Sequence, residues 1–294
     1  MNDPPPAPPA PPAPSAPFGL PAWSASPAPA ARWRPTPLVV ASALWHAGAL
    51  LVTLLRPQWW PWTLGAVLAN QLLLIAIGLW PRSRGLGANM TRLPPAAVAR
   101  GEVAITLDDG PDPDVTPRVL AILAEHRVAV TFFCIGERAA RHSQCVRDCA
   151  AAGHDIENHS YRHRHHFALL GGGALRREIA RAQQALTALS GTPPLFFRAP
   201  AGLRNPLLDP ALQRQGLRLA SWTRRGFDTV STDASQVLAR LTRNLAAGDI
   251  LLLHDGHAGR TAAGTPLVLD VLPRLIAAIG ERSLRPVTLR QALR

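Results

Sequence analysis

The sequence predicts an α/β fold in which short strands alternate with helices, preceded by two apolar helices that form a hairpin. Two observations support this prediction. Beyond residue 100, short apolar segments alternate with helical stretches, which is the pattern of repeated βα units around a parallel sheet. This many units favour closure of the sheet into a barrel. Residues 38–80 contain two long uncharged segments with a tryptophan-rich connection between them.

The first 37 residues differ in composition from the rest of the chain. They contain 14 of the 30 prolines, mixed with alanine and serine. Such a segment cannot bury enough apolar surface to offset the entropy that is lost on ordering. We therefore expect residues 1–37 to form a disordered, Pro/Ala-rich tail that acts as a spacer, with a ligand for a proline-binding domain as the alternative.

The net charge of +12 does not indicate a nucleic-acid-binding protein. All 31 basic residues are arginine, and they are scattered along the chain rather than gathered in a stripe with aromatic residues. We expect no nucleic acid among the partners. Attraction to anionic lipid headgroups or to phosphates is consistent with this charge.

The two apolar segments, residues 38–55 and 63–80, each lack a charge over 18 positions. At the rise of an α-helix this length corresponds to about 27 Å, close to the minimum for crossing a bilayer. The connection between them holds three tryptophans, which are typical of a membrane interface. We therefore expect residues 38–80 to form a two-helix membrane hairpin, in contact with membrane lipids.

Two alternatives to the hairpin fit the sequence less well. A hairpin buried in a soluble core would still show a polar face. A cleaved signal peptide would need a small-x-small site before Arg56, and instead a second apolar segment follows at once. The polar residues within the segments, His46, Asn70 and Gln71, are expected to bond across the helix pair.

Arginine distribution predicts which side of the membrane the chain ends face. Five arginines flank the outer ends of the two segments, namely Arg32, Arg34, Arg82, Arg84 and Arg92. Only Arg56 lies in the loop between them. The positive-inside rule then places both ends of a two-pass inner-membrane protein in the cytoplasm, with a periplasmic or external orientation as the alternative.

Residues 81–100 are rich in proline, glycine and arginine, and we expect them to be a loose linker to a domain that covers residues 101–294. Apolar patterning predicts strands at 103–107, 128–133, 154–157, 195–197, 217–221, 250–253 and near 287. It predicts helices at 117–126, 138–152, 174–190, 234–246 and 266–279.

Four clusters of reactive residues stand where predicted strands end. Asp108 and Asp109 leave the first strand together, which is costly unless a cation lies between them, although Asp-Asp-Gly is also an ordinary turn. His159 and His163 are four residues apart, and on a helical turn they would offer both rings to one metal ion. His165 and His166 follow, so a merely histidine-rich loop is the alternative.

The other two clusters end later strands. Arg198 is followed by a proline and glycine turn, which alone would read as a surface arginine beside a turn. His254 and Asp255 follow a fully apolar strand. Each signal is weak by itself. Their order and their common placement at strand ends are specific, since function in such folds gathers at the carboxyl ends of the strands.

This set of motifs resembles the polysaccharide deacetylase family, also called carbohydrate esterase family 4 or the NodB-homology domain. The resemblance covers roughly residues 101–290. Its matching segments are Thr106–Gly110, Gly136, Gly153–His159, His159–His163, Arg198–Pro200 and Leu252–His254.

The resemblance implies a distorted (β/α)7 barrel of the NodB-homology type and a role for each motif. Asp109, His159 and His163 would bind a divalent metal, zinc being the expected ion and cobalt or another transition metal the alternative. Asp108 would be the general base and His254 the general acid. A backbone N–H near Ala201 would help to stabilise the oxyanion.

One departure from the family concerns the partner of the motif arginine. The family usually has an Asp-x-x-Asp-Trp stretch whose aspartate pairs with that arginine. Here residues 221–228 read Ser-Trp-Thr-Arg-Arg-Gly-Phe-Asp. We therefore expect Asp228 to pair with Arg198, as the candidate for that role.

The implied reaction is removal of an N-acetyl or N-formyl group from an amino sugar. The sugar would belong to a glycan or to a lipid-linked saccharide. Two neutral imidazoles and one carboxylate leave a divalent cation open positions for water and substrate, which independently suits amide hydrolysis. The alternatives are a carbohydrate O-acetyl esterase and a non-catalytic, membrane-anchored sugar-binding protein.

Overall fold

A computed structural model describes residues 33–294 of the chain. The predicted tail, residues 1–37, lies almost wholly outside these residues. Within them, two long helices precede a domain built on a curled, parallel eight-stranded sheet. This architecture confirms the predicted α/β fold and the helices that precede it.

The two N-terminal helices are α1, Pro37–Leu55, and α2, Trp60–Gly78. Thr36 caps α1, since its hydroxyl oxygen accepts a hydrogen bond from the Val39 amide. Only 6% and 11% of the residues in their apolar windows are buried. Both helices are long and apolar enough to cross a membrane, and they are not core helices of the domain.

Polar side chains join the two helices to each other. The Ser42 hydroxyl donates to Asn70 Oδ1 at 3.1 Å, and Gln71 Nε2 lies 3.0 Å from His46 Nε2. The hydroxyls of Thr53 and Thr63 lie 2.6 Å apart. The structure therefore confirms the prediction that the polar residues of the apolar segments bond across the pair.

All strand pairs in the sheet are parallel, in the order β5-β4-β3-β2-β1-β7-β6, and β8 also pairs with β1. The strands are β1 Glu102–Asp108, β2 Thr131–Cys134, β3 Asp155–Asn158, β4 Phe196–Phe197, β5 Arg218–Leu219, β6 Arg224–Arg225, β7 Ile250–His254 and β8 Arg285–Val287. The described strands leave the sheet open between β5 and β6, so it is a curled half-barrel.

Helices follow most strands and cover the outer face of the sheet. They are α3 Pro95–Ala99, α4 Thr116–His126, α5 Gly136–Arg141, α6 Ser143–Ala151, α7 Gly172–Ser190, α8 Leu208–Gln213, α9 Ala234–Thr242 and α10 Leu267–Glu281. The apolar faces of α4, α9 and α10 pack on β1 and β7, whose residues are all buried. The carboxyl ends of these central strands are thereby held rigidly.

Two predicted helices differ from those observed. The predicted helix 138–152 is two helices, because His142 leaves the helical region with φ −117° and ψ 49°. The predicted helix 234–246 ends at Thr242. Just beyond that end, the Arg224 guanidinium donates to the carbonyl oxygens of Arg243 and Asn244, which have no helical partner.

The segment 81–100 is not the loose linker that the composition suggested. Leu86, Leu93 and Ala97 are buried, and the Leu93 amide donates to the Gly248 carbonyl at 2.8 Å. Met90 forms a parallel bridge with Ala220, beyond the end of β5. Composition did not reveal this packing, because it depends on partners more than 120 residues away in the chain.

Candidate active site

The predicted site residues gather at the carboxyl ends of the central strands. Asp108 ends β1 and lies opposite His254, which ends β7. His159 follows β3, and Arg198 follows β4. Parallel pairing brings these four ends to one edge of the sheet, where Asp108, His159 and His254 line a cleft of about 280 Å³.

Three residues offer ligand atoms to a common point. Asp109, His159 and His163 place one ligand atom each within 4.8 Å of one another. Asp109 Oδ1 lies 3.2 Å from His159 Nε2 and 3.2 Å from His163 Nε2. The same oxygen is buried without a hydrogen-bond partner among the described residues. An orphaned carboxylate oxygen facing two imidazole nitrogens fits a divalent cation.

The protonation of the ligands also suits a metal ion. His159 Nδ1 lies 2.8 Å from the Arg198 carbonyl oxygen, which only accepts, so this nitrogen carries a proton and the neutral ring would offer the Nε2 lone pair to a cation. Burial and the charge of His159 lower the pKa of His163 to about 4. Burial alone would raise the pKa of Asp109, but the neighbouring rings of His159, His257 and His163 hold it well below its usual range.

The His159–His163 segment is a loop rather than the helical turn that the i, i+4 spacing suggested. Ser160 and His163 both have left-handed backbones, with φ of 64° and 49°. The Asn158 side-chain oxygen accepts from the Ser160 amide at 2.9 Å, and the Ser160 hydroxyl oxygen accepts from the His163 amide at 3.1 Å. These local bonds compete with helix formation and turn both rings toward Asp109.

Asp108 is held by Arg198. The Arg198 Nη1 group donates to Asp108 Oδ1 at 2.6 Å and to the Thr106 hydroxyl at 2.8 Å. Its other donors reach the carbonyl oxygens of Ala220 and Ser221, at 3.2 and 2.8 Å. Arg198 is only 1% exposed. It lies behind the cleft wall, where it orients Asp108 and leaves Asp108 Oδ2 facing His159.

Asp228 pairs with His254, and not with Arg198 as the sequence suggested. Asp228 Oδ1 lies 2.9 Å from His254 Nδ1, and Asp228 Oδ2 accepts from the His254 amide at 2.8 Å. Arg198 forms its ion pair with Asp108 instead. Burial alone would lower the pKa of His254, but the hydrogen bond and charge of Asp228, with the charges of Asp108 and Asp109, raise it.

The structure adds residues to the site that the sequence analysis missed. His257 Nδ1 lies 3.6 Å from Asp109 Oδ2, and Arg138 donates both to His257 Nε2, at 2.6 Å, and to the Asp109 carbonyl, at 3.0 Å. Trp222 and Arg225 line the cleft. Arg138 and Arg225 gave no signal in the sequence because they lie among many scattered arginines. His257 stands three residues after His254, and that proximity was the available signal.

Ala201 also lines the cleft, in the turn that follows Arg198. Its backbone is left-handed, with φ 53° and ψ 8°, inside the turn Pro200–Gly202. The role of an amide near Ala201 in stabilising an oxyanion stays a prediction.

Comparison with known proteins relates this geometry to one family. Residues 96–220 match the polysaccharide deacetylase family. A peptidoglycan-N-acetylglucosamine deacetylase of Bacillus cereus is 30% identical over 194 residues, which cover 65% of this chain and 88% of that protein. A chitooligosaccharide deacetylase of Sinorhizobium fredii is 31% identical over 196 residues, covering 65% and 91%.

Solved structures agree with the sequence comparisons. A peptidoglycan N-acetylglucosamine deacetylase in complex with a substituted N-hydroxybenzamide superposes with a TM-score of 0.62 at 29% identity, covering 70% of this chain and 92% of that one. A family 4 carbohydrate esterase from Streptomyces lividans, in complex with acetate, gives a TM-score of 0.57 at 29% identity, covering 63% and 91%.

Proposed function

The chain belongs to the polysaccharide deacetylase family, and from that premise we propose that it is a membrane-anchored, metal-dependent hydrolase of N-acylated amino sugars. Its relatives are deacetylases that act on N-acetyl C–N bonds. The observation that carries the proposal is the grouping of Asp109, His159 and His163 beside the held residues Asp108 and His254. The acyl group would be acetyl or formyl, on a glycan or a lipid-linked saccharide.

We propose Asp109, His159 and His163 as the residues that hold the cation, with zinc as the ion and cobalt as the alternative. Two imidazoles and one carboxylate are a common ligand set for catalytic zinc. When bound, the cation would supply Lewis acidity, which polarises the amide carbonyl and makes water a better nucleophile at neutral pH.

The remaining groups perform the proton transfers. Asp108, held by Arg198, takes a proton from the attacking water, whose oxygen bonds to the carbonyl carbon. His254 enters the reaction as an imidazolium that Asp228 stabilises, and it gives its proton to the nitrogen as the C–N bond breaks. The products are a carboxylic acid, which keeps the water oxygen and one water proton, and the free amine. The enzyme is restored when the proton taken up by Asp108 makes good the one that His254 gave away, so one water is consumed in each turnover.

The domain organisation is part of the proposal. Residues 38–80 would anchor the chain as a two-pass hairpin, and the domain that follows would carry the reaction. The length, apolar character and exposure of α1 and α2 support an anchor. The predicted boundary at residue 101 is better placed near residue 81, because residues 81–100 pack on the domain.

Turnover of a generic substrate by the full chain in detergent tests the function. With added Zn²⁺ we expect the chain to release acetate from chitooligosaccharides. Mass spectrometry detects the free amine that forms. Asp108→Asn should keep the metal and lose roughly 10²- to 10⁴-fold in rate, since it removes the base. Asp114→Asn, at an exposed turn, is the matched control. Faster release from an O-acetylated sugar would favour the esterase alternative, and a near-normal Asp108→Asn rate would place the base elsewhere.

A further inference from the structure

The end of α2 contacts the wall of the active-site cleft. The Arg204 amide donates to the carbonyl oxygen of Gly78, the last residue of α2, at 3.2 Å. Three residues later, Pro81 packs against Gly202, a cleft residue. A Cβ at Gly202 would lie only 2.6 Å from Pro81 Cβ and 2.6 Å from Trp222 Cη2. The cleft wall therefore begins within a few residues of the apolar helix.

Both N-terminal helices meet the domain on this same side. The hydroxyl of Thr36, which caps α1, donates to the Gly85 carbonyl at 2.6 Å. The Arg204 guanidinium donates to the Ser83 carbonyl. If the hairpin crosses a bilayer, this side of the domain lies at the level of the lipid headgroups. We call it the anchor face, and it comprises Trp33, Leu79, Trp80, Leu169 and Leu207.

Exposed apolar side chains continue from the hairpin onto the domain. Leu169 is 84% exposed and Leu207 is 47% exposed. The loop of Leu207 lies beside the hairpin because its neighbour Asp209 accepts from Trp33 Nε1 at 2.8 Å. Asn205 Nδ2 ties the loop of Leu169 to it, donating to the Ala168 carbonyl at 2.8 Å. Leucine and tryptophan side chains in such a position suit the membrane interface.

Arg225 is a cation in the cleft without an anionic partner among the described residues. Its Nε group is buried without a hydrogen-bond partner, and its guanidinium lies 5.6 Å from the Trp222 ring and 5.0 Å from the Phe227 ring. The adjacent Arg224 is satisfied by Asp249 at 2.5 Å. An unpaired guanidinium in a partly desolvated cleft is costly, and an anionic ligand would offset that cost. Its planar fork matches phosphate.

Resting on the proposed function, we propose that the substrate is an N-acylated amino sugar joined through a phosphate to a membrane lipid, and that Arg225 binds the phosphate. The anchor face holds the cleft wall at the lipid headgroups, where such a sugar lies. Arg225 would then bind the phosphate, which is the one anionic group of this substrate. A neutral oligosaccharide has no such group. In this proposal Arg225 binds the phosphate and takes no part in the proton transfers at the amide.

Paired substrates test this inference on the full chain in detergent, loaded with Zn²⁺. The probes are farnesyl N-acetylglucosaminyl phosphate, the matched farnesyl glycoside without phosphate, and a soluble chitooligosaccharide, each also as the N-formyl compound. We expect Arg225→Gln to lower kcat/KM on the phosphate probe by roughly 10- to 100-fold, the effect of losing a charge-assisted hydrogen bond. Turnover of the two neutral probes should fall by a smaller factor, so the readout is the ratio of kcat/KM on the phosphate probe to kcat/KM on the neutral probes. Arg218→Gln, at an exposed strand residue, is the charge-matched control.

A binding measurement separates the lipid from the phosphate. By calorimetry, farnesyl phosphate should bind the wild-type chain more tightly than inorganic phosphate does, and Arg225→Gln should weaken both while Arg225→Lys restores part of the loss. Tight binding of inorganic phosphate without any gain from the farnesyl group would assign Arg225 to a free phosphate and overturn the lipid assignment.

The outcomes distinguish the inference from the function on which it rests. Equal losses on all probes in Arg225→Gln would show a structural role for Arg225 and overturn the inference. Preference of the wild-type chain for the neutral chitooligosaccharide would overturn the substrate class and leave the deacetylase function intact. Absence of turnover on every probe would refute both.

Discussion

Arg198 connects the two halves of the site, because its backbone and its side chain serve different groups. Its carbonyl oxygen accepts from His159 Nδ1 and so orients a candidate metal ligand. Its guanidinium donates to Asp108 and so orients the candidate base. With four acceptors and stacking at 4.0 Å on the Phe133 ring, it has no freedom to move. Ligand and base are therefore fixed relative to each other by one residue.

His163→Ala tests the metal site at this scale. We expect it to lose both bound metal and activity, because two ligands rarely retain a divalent ion that three ligands bind. His166→Ala, an exposed histidine in the same loop, is the control and should keep both. Elemental analysis of the purified variants measures the metal directly. A full complement of metal in His163→Ala would remove His163 from the ligand set.

The pairing of His254 with Asp228 predicts a pH dependence. In the proposed mechanism the His254 imidazolium is the general acid, so we expect the rate to fall as pH rises through the pKa of His254. Asp228 raises that pKa. In Asp228→Asn the alkaline limb of the kcat profile should move to lower pH by roughly one unit, since a hydrogen-bonded charge is lost. Asp114→Asn should leave it in place. An unmoved limb would identify a different acid.

The sequence indicated that Asp108, Asp109, His159, His163 and His254 would lie together, because their motifs stand at strand ends. The exception was the partner of Arg198. The sequence favoured Asp228 because it follows Arg198 closely in the chain. The observed partner, Asp108, is 90 residues distant in the chain. Such a choice depends on how β1, β4 and β7 are ordered in the sheet, and periodicity carries no information about that order.

At the scale of elements, the helices and strands with strong apolar patterns were predicted correctly, whereas several short elements were missed. The strand Val103–Leu107 is fully buried, and its boundaries were correct to one residue. β6 has two arginines and no apolar alternation, so it gave no signal. The break at His142 contains neither glycine nor proline, and the helices on either side of it, α5 and α6, both pack on α7. Competition between local pattern and tertiary packing explains these differences.

Glu157 on β3 joins three elements, which makes it a test of the sheet. Its Oε2 accepts from the amides of Leu195 and Phe196, each at 2.7 Å, and its Oε1 accepts from Arg290 Nε at 2.7 Å. Glu157→Gln replaces an acceptor with a donor and leaves Arg290 without its charge partner. We expect a loss of roughly 3 kcal/mol in the free energy of unfolding, typical of a broken buried pair.

Thermal unfolding of the full chain in detergent measures this loss. Glu125→Gln, at an exposed position on α4, should change stability little, since it disturbs no buried partner. A variant at Glu157 as stable as the wild type would show that water or another group replaces the lost bonds. The hydrogen bonds of Glu157 between β3, β4 and the C-terminal segment would then not be needed for stability.

At the scale of the whole molecule, the hairpin brings both of its outer ends to one side of the domain. The distribution of arginine then predicts that this side is cytoplasmic. An export-dependent reporter fused after Arg294 should be inactive, and the same reporter fused after Gln58, in the hairpin connection, should be active. The second fusion is the matched control for expression. The reverse pattern would place the domain outside and make an external glycan the expected substrate.

The segment 81–100 occupies the seam between β5 and β6. The Met90 amide donates to the Leu219 carbonyl of β5 at 2.9 Å, and the Leu93 amide donates to the Gly248 carbonyl, just before β7, at 2.8 Å. The Thr223 hydroxyl donates to the Thr91 carbonyl at 2.6 Å. To remove the two apolar helices and keep the domain whole, the chain should be cut before Pro81. A cut at residue 101 would also remove a piece of the half-barrel wall.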